Sequence, residues 1–153
     1  MDMKRNVGPK LTREALAEAQ RWMPFPLPAQ VTAFYMETNG GVPVNDGWTD
    51  DKEGVTYWIK QFLSFANPAD KISVESLYAL GVGKDYLDAT LVPFALDHGG
   101  NYFCFDQIGG VHFYALDGWG RNLSPEENKR KADVPLTASF NAFIENLVPY
   151  VAE

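Results

Sequence analysis

Between Leu91 and Leu116, three apolar runs alternate with two turns, and each turn holds a Gly-Gly pair. The runs are short, rich in aromatic and β-branched residues, and bounded by glycine. That pattern predicts an antiparallel meander. The middle run, Tyr102 to Phe105, is apolar throughout. A strand without a polar face must be covered on both sides, which places it at the centre of a sheet.

Upstream the periodicity is helical. Residues 1–10 are polar, with Gly8 and Pro9, and are expected to form a loose arm ahead of one domain over 11–153. Thr12 is a candidate N-cap, and Ala15, Leu16, Ala19, Trp22 and Met23 follow at helical spacing until Pro24, Pro26 and Pro28. A second helix opens at Pro28. Val31, Phe34, Tyr35 and Thr38 form its apolar stripe, and Asn39-Gly40-Gly41 stops it.

Val42-Pro43-Val44 reads as a short edge strand, and residues 45–54 as an exposed loop with four acids, one lysine and Trp48. A strand is expected over Val55 to Phe65, with Val55, Tyr57, Ile59 and Leu63 on one face, Gln61 breaking the pattern, and Trp58 and Phe62 on the other. Ser73 caps a short helix that reaches Leu80, with Ile72 and Leu77 spaced as a hydrophobic staple. Residues 117–135 read as polar loop, with at most one strand around Arg121–Leu123. A last helix carries Leu136, Phe140, Phe143, Ile144 and Leu147 and ends at Pro149. The fold class is therefore α+β: one mainly antiparallel sheet, an N-terminal helix pair, a short middle helix and a C-terminal helix.

Charge sharpens this picture. The 153 residues carry a net charge of −7. The first 21 hold five basic and three acidic side chains, and the remainder eight basic and seventeen acidic. Such a surface repels nucleic acid and favours a basic partner. The single cysteine, Cys104, lies in the central apolar run, where core packing and a reducing compartment are expected. No run approaches the length of a membrane span, and no apolar leader opens the chain, so a cytoplasmic location is expected.

Four kinds of site chemistry can be weighed. Asp97, Asp106 and Asp117 end predicted strands, with His98 and His112 nearby, and such ligand types suit a divalent metal. The meander argues against it. Chain reversal sends Asp97, His98 and Asp117 to one end of the sheet and Asp106 and His112 towards the other, roughly 17 Å away. Aspartate before a Gly-rich turn has a local task instead, accepting backbone hydrogen bonds. The Gly-Gly pairs fit no phosphate-loop pattern. No nucleophile elbow is present, and no carboxylate pair is singled out by spacing, so no catalytic residue, metal or cofactor is expected. A binding surface remains. Asp46, Trp48, Asp50, Asp51 and Glu53 combine acids with an aromatic anchor, and Asp117 and Trp119 do the same in a second loop. The alternative for each tryptophan is that it folds back onto the core.

One set of motifs carries a family resemblance. Leu27-Pro28 opens a helix with Phe34-Tyr35, followed by Asn39-Gly40-Gly41. Pro93-Phe94-Ala95 then leads through Gly99-Gly100-Asn101-Tyr102-Phe103-Cys104-Phe105-Asp106 to Val111. This order resembles the Smi/Knr-type domain of the SUKH superfamily over residues 12–148. The resemblance implies an α+β fold without catalytic residues, in which Gly40, Gly41, Gly99, Gly100, Asn101, Asp106, Gly109 and Gly110 define turns. It implies a bacterial immunity protein that binds and neutralises a cognate toxin domain, often a nuclease and hence basic. The alternative is an intracellular adaptor or regulator of the same fold, as among fungal relatives.

Overall fold

A computed structural model describes residues 1–151. Six strands form one antiparallel sheet in sequence order: β3 (Gly47–Asp50), β4 (Val55–Phe62), β5 (Val92–Asp97), β6 (Tyr102–Phe105), β7 (Val111–Tyr114) and β8 (Asp133–Thr137). The expected meander is β5–β6–β7. The sheet curls until its two edge strands, β3 and β8, face each other across a gap, so it is nearly closed. A separate two-stranded ribbon pairs β1 (Met3–Arg5) with β2 (Val42–Pro43). The start of the chain, expected to be loose, is therefore tied down at Met3–Arg5 by a ladder to the edge strand that Pro43 marks.

Five helices flank the sheet: α1 (Arg13–Ala19), α2 (Ala29–Glu37), α3 (Val74–Gly83), α4 (Pro125–Ala132) and α5 (Phe140–Glu145). Thr12 caps α1, its hydroxyl accepting from the Ala15 N–H at 3.0 Å. Helix α1 stops at Ala19, short of the Trp22 and Met23 that share its spacing. Ser73 caps α3, and its partner in the capping box is Ser76. Ile72, expected to staple onto Leu77, is exposed.

The central strand β6 is wholly buried, because each sheet face is covered. Phe103 and Phe105 join Phe94, Val111 and Ile59 under α1, α2 and α5, which contribute Leu16, Val31, Phe34, Tyr35, Phe140 and Phe143. Tyr102 and Cys104 point the other way, into a smaller cluster with Leu87, Leu91, Tyr114 and Ala132. Burial in that cluster pushes the Cys104 thiol well above its ordinary pKa, leaving a packing group.

Strand β4 explains the broken alternation at Gln61. Its register against β5 shifts between Ile59 and Gln61, so one extra residue bulges out and Ile59 and Phe62 both reach the core. Three further expectations are corrected. Residues 45–54 hold β3 and the turn of the β3–β4 hairpin, with Gly47 and Trp48 buried. Residues 117–135 hold a 3-10 turn at Leu116–Gly118 and then α4, followed by the start of β8, where loop was expected. Leu136 belongs to β8, and the last helix starts only at Phe140, capped by Ser139.

Candidate functional site

The sheet topology sorts the candidate residues. Antiparallel pairing brings the hairpin turn after Asp50, the turn after Asp97 and the turn after Tyr114 to one end of the sheet. Asp106 and its glycines lie at the other end, as chain reversal predicts.

Each turn aspartate does local work. Asp97 Oδ1 accepts from the N–H groups of Gly99 at 2.9 Å and Asn101 at 2.7 Å. Asn101 is buried, and its Oδ1 accepts from the Leu116 N–H at 2.8 Å, binding this turn to the chain leaving β7. Asp106 Oδ1 accepts from Ile108 N–H at 3.0 Å and Gly110 N–H at 2.9 Å. A Cβ on Gly110 would lie 2.6 Å from Asp106 Oδ2, so only glycine lets that carboxylate close the turn.

Asp106 Oδ2 meets His112 Nε2 at 2.7 Å, while His112 Nδ1 meets Asp133 Oδ1 at 2.6 Å. The hydrogen bond to Asp133, then that to Asp106, outweighs partial burial and raises the imidazole from 6.5 to about 9. The two carboxylates sit on opposite ring nitrogens, so the three groups share no common point for an ion. Among the described residues, no group of three or more His, Cys, Asp and Glu is placed to hold a metal. Asp133 was invisible in the sequence because it lies in the stretch read as loop.

The acid-and-aromatic stretch divides by role. Trp48 is buried at 7% exposure and stacks on Phe143 with ring centroids 5.8 Å apart. Its indole is core, with only an edge towards solvent. Asp46 accepts from Trp58 Nε1 at 3.0 Å and from the Tyr150 N–H at 2.8 Å, so both its oxygens are engaged within the chain. Trp58, 41% exposed, lies between His98 and Tyr150, with the Tyr150 ring stacked at 4.7 Å. Asp50 caps the hairpin turn, its Oδ1 accepting from the Lys52 N–H at 3.0 Å. Asp51 and Glu53 are exposed and accept no hydrogen bond among the described residues. Asp117 is exposed, 3.4 Å from Asn101 Nδ2. Trp119 is half-buried against the smaller cluster, where it shares a shallow hollow with Lys84, Tyr86 and Leu116. The structure thus brings Asp50, Asp51 and Glu53 together and keeps Asp117 and Trp119 as a separate feature.

A groove lies beside this hairpin, in the gap between β3 and β8, with a volume of about 950 Å³. Trp48, Tyr57 and Leu136 form its floor. Sequence reasoning missed it, because it depends on β8 and on the curl of the sheet. No helix among the described residues is long and apolar enough to cross a membrane.

The described residues thus hold an antiparallel meander buried on both faces, with turns set by Asp and Gly. Residues 10–146 match the SMI1 / KNR4 family (SUKH-1), and the chain belongs to that family. Neither the curated proteins nor the solved structures that were compared gave a match.

Proposed function

We propose that this chain is an immunity protein, which binds a cognate toxin domain and neutralises it by protein–protein contact. Membership of the SMI1 / KNR4 family across residues 10–146 carries this reading. The surface charge supports it. A nuclease toxin binds nucleic acid and is basic, and a partner with net charge −7 is steered to it and can mask that surface. The exposed acids Asp51 and Glu53 with the half-buried Asp50, and Asp117 and Trp119 as a second patch, are the proposed contacts. Trp48 and Asp46 act behind them as supports.

The test is co-expression with a toxin domain encoded by a neighbouring gene. Restored growth and a stable complex are expected. Continued killing, with the protein folded and present, would leave the adaptor role of the same fold in its place.

A further inference from the structure

We propose that the groove between β3 and β8 receives a short extended segment of the toxin that combines lysine or arginine with aliphatic residues. This deepens the immunity reading and rests on it.

The first observation is an unpaired strand edge. Strands β3 and β8 end the sheet, and among the described residues each lacks a ladder on its outer side. Exposed edges are normally blunted, and β8 carries Pro135, which has no N–H to donate. Strand β3 has neither proline nor lysine. Its outer edge is used once, where Gly47 exchanges N–H and C=O bonds with Val148 at 2.7 and 2.9 Å. Alternate residues of a strand present the same edge, so Thr49 continues the row that Gly47 begins. Asn146, two residues before Val148, is the C-cap of α5 and lines the groove without pairing to Thr49 among the described residues. The groove opens where the pairing stops. An extended segment can add there as a strand, with main-chain bonds giving affinity.

The second observation is the chemistry of the walls. The floor is apolar, and the exposed rim residues Val55, Val134 and Val148 are aliphatic. Around them stand Asp50, Asp51 and Glu53 against the single cation Lys52. An added strand directs alternate side chains to opposite sides. By register Asp50 and Val55 share the face of Trp48 and Tyr57, and Asp51 and Glu53 stand in the turn at the end of β3. Aliphatic side chains would therefore meet the valines and the floor, while basic ones reach the acids towards the turn. That arrangement selects a segment that combines aliphatic and basic residues over an acidic or uniformly polar one.

The probe is a hexapeptide of alternating lysine and valine, titrated into the full ¹⁵N-labelled chain at low salt, with a glutamate–valine hexapeptide as control. Saturable shifts are expected at Thr49, Val55, Val134 and Val148, and none with the control. Asp51→Lys/Glu53→Lys should weaken binding by about tenfold through the loss of charge complementarity. Thr49→Pro should do so by removing an outward N–H while sparing the β3–β4 ladder, with unchanged shifts elsewhere establishing that it folds. Val148→Lys, on the exposed rim, provides a second variant if Thr49→Pro does not fold. No binding, shifts centred on Trp58 and His98, or full affinity in the folded variants would overturn the groove. Co-expression rescue decides the immunity reading separately. Rescue by wild type and by all these variants would leave immunity standing and remove the groove from it.

Discussion

His112 holds Asp133 across the β7–β8 pair, with Nδ1 2.6 Å from the carboxylate, and holds Asp106 at its other nitrogen. The contact links the turn after β6 to the start of the edge strand β8. The imidazole titrates at about 9 in the fold, against an ordinary 6.5. A raised pKa means that protonation is favoured by folding. The stabilisation is therefore complete below pH 6.5 and is lost as pH rises through 9. The melting temperature should fall across that window in the wild type, and His112→Gln should flatten the fall while costing about 1–3 kcal/mol at neutral pH. Thermal denaturation from pH 6 to 10 checks both. Equal pH slopes in the two proteins would remove the triad from the account.

Asn39 follows Thr38, the C-cap of α2, and is buried. Its Oδ1 accepts from the Phe65 N–H, and its Nδ2 donates to the carbonyls of Phe65 and Pro9, each at 2.8 Å. Removing the amide leaves buried backbone groups unpaired, so Asn39→Ala should cost about 2–4 kcal/mol in urea unfolding. Gly40 follows with φ +78°, where a Cβ would lie 2.8 Å from the carbonyl oxygens of Phe62 and Leu63. Gly40→Ala should therefore be at least as damaging, whereas Gly54→Ala, with open space around it, should lose only the cost of its positive φ.

The meander was legible because its apolar runs are bounded by Asp and Gly-Gly reversals, and the first two helices because their apolar positions repeat at period 3.6. Helix α4 was not, because it has no apolar stripe. Of its eight residues, Asn128 and Ala132 are buried. It is held by its ends instead: Ser124 caps it, Pro125 opens it, Glu126 and Glu127 sit in the first turn, and Lys129, Arg130 and Lys131 in the last. The Ser124…Glu127 spacing was the signal that could have found it. Strand β3 was read as loop for the opposite reason. Its acids cluster at the turn and hide a tryptophan that packs inward. The groove and the His112–Asp133 contact need the register of β8, which short-range patterns do not carry.

Asp46 is placed to hold the C-terminal segment, because its two oxygens accept from the Trp58 indole and the Tyr150 N–H. Asp46→Ala should leave global stability within about 1–2 kcal/mol, since one bond is exposed and the other only part-buried. Locally it should free the end of the chain. Hydrogen exchange at the Tyr150 amide should accelerate, and the emission of Trp58, stacked on Tyr150, should shift. Unchanged exchange would show that the Gly47–Val148 bridge alone anchors this segment.

The hairpin acids divide into those that shape the turn and those free to meet a partner, and charge reversal should separate the two. Asp50 accepts the Lys52 N–H, so Asp50→Lys disturbs the turn and any loss of binding confounds charge with geometry. Asp51 and Glu53 carry no such bond among the described residues, so Asp51→Lys/Glu53→Lys changes the field alone. Steering by rim charges acts chiefly on the association rate and is screened by salt. With the toxin domain as partner, the double variant should associate about tenfold more slowly at low ionic strength. The wild-type advantage should shrink as salt rises, while dissociation changes less. Stopped-flow association at two salt concentrations measures both. Equal rates at low salt would place recognition away from the hairpin and return Asp117 and Trp119 to first consideration.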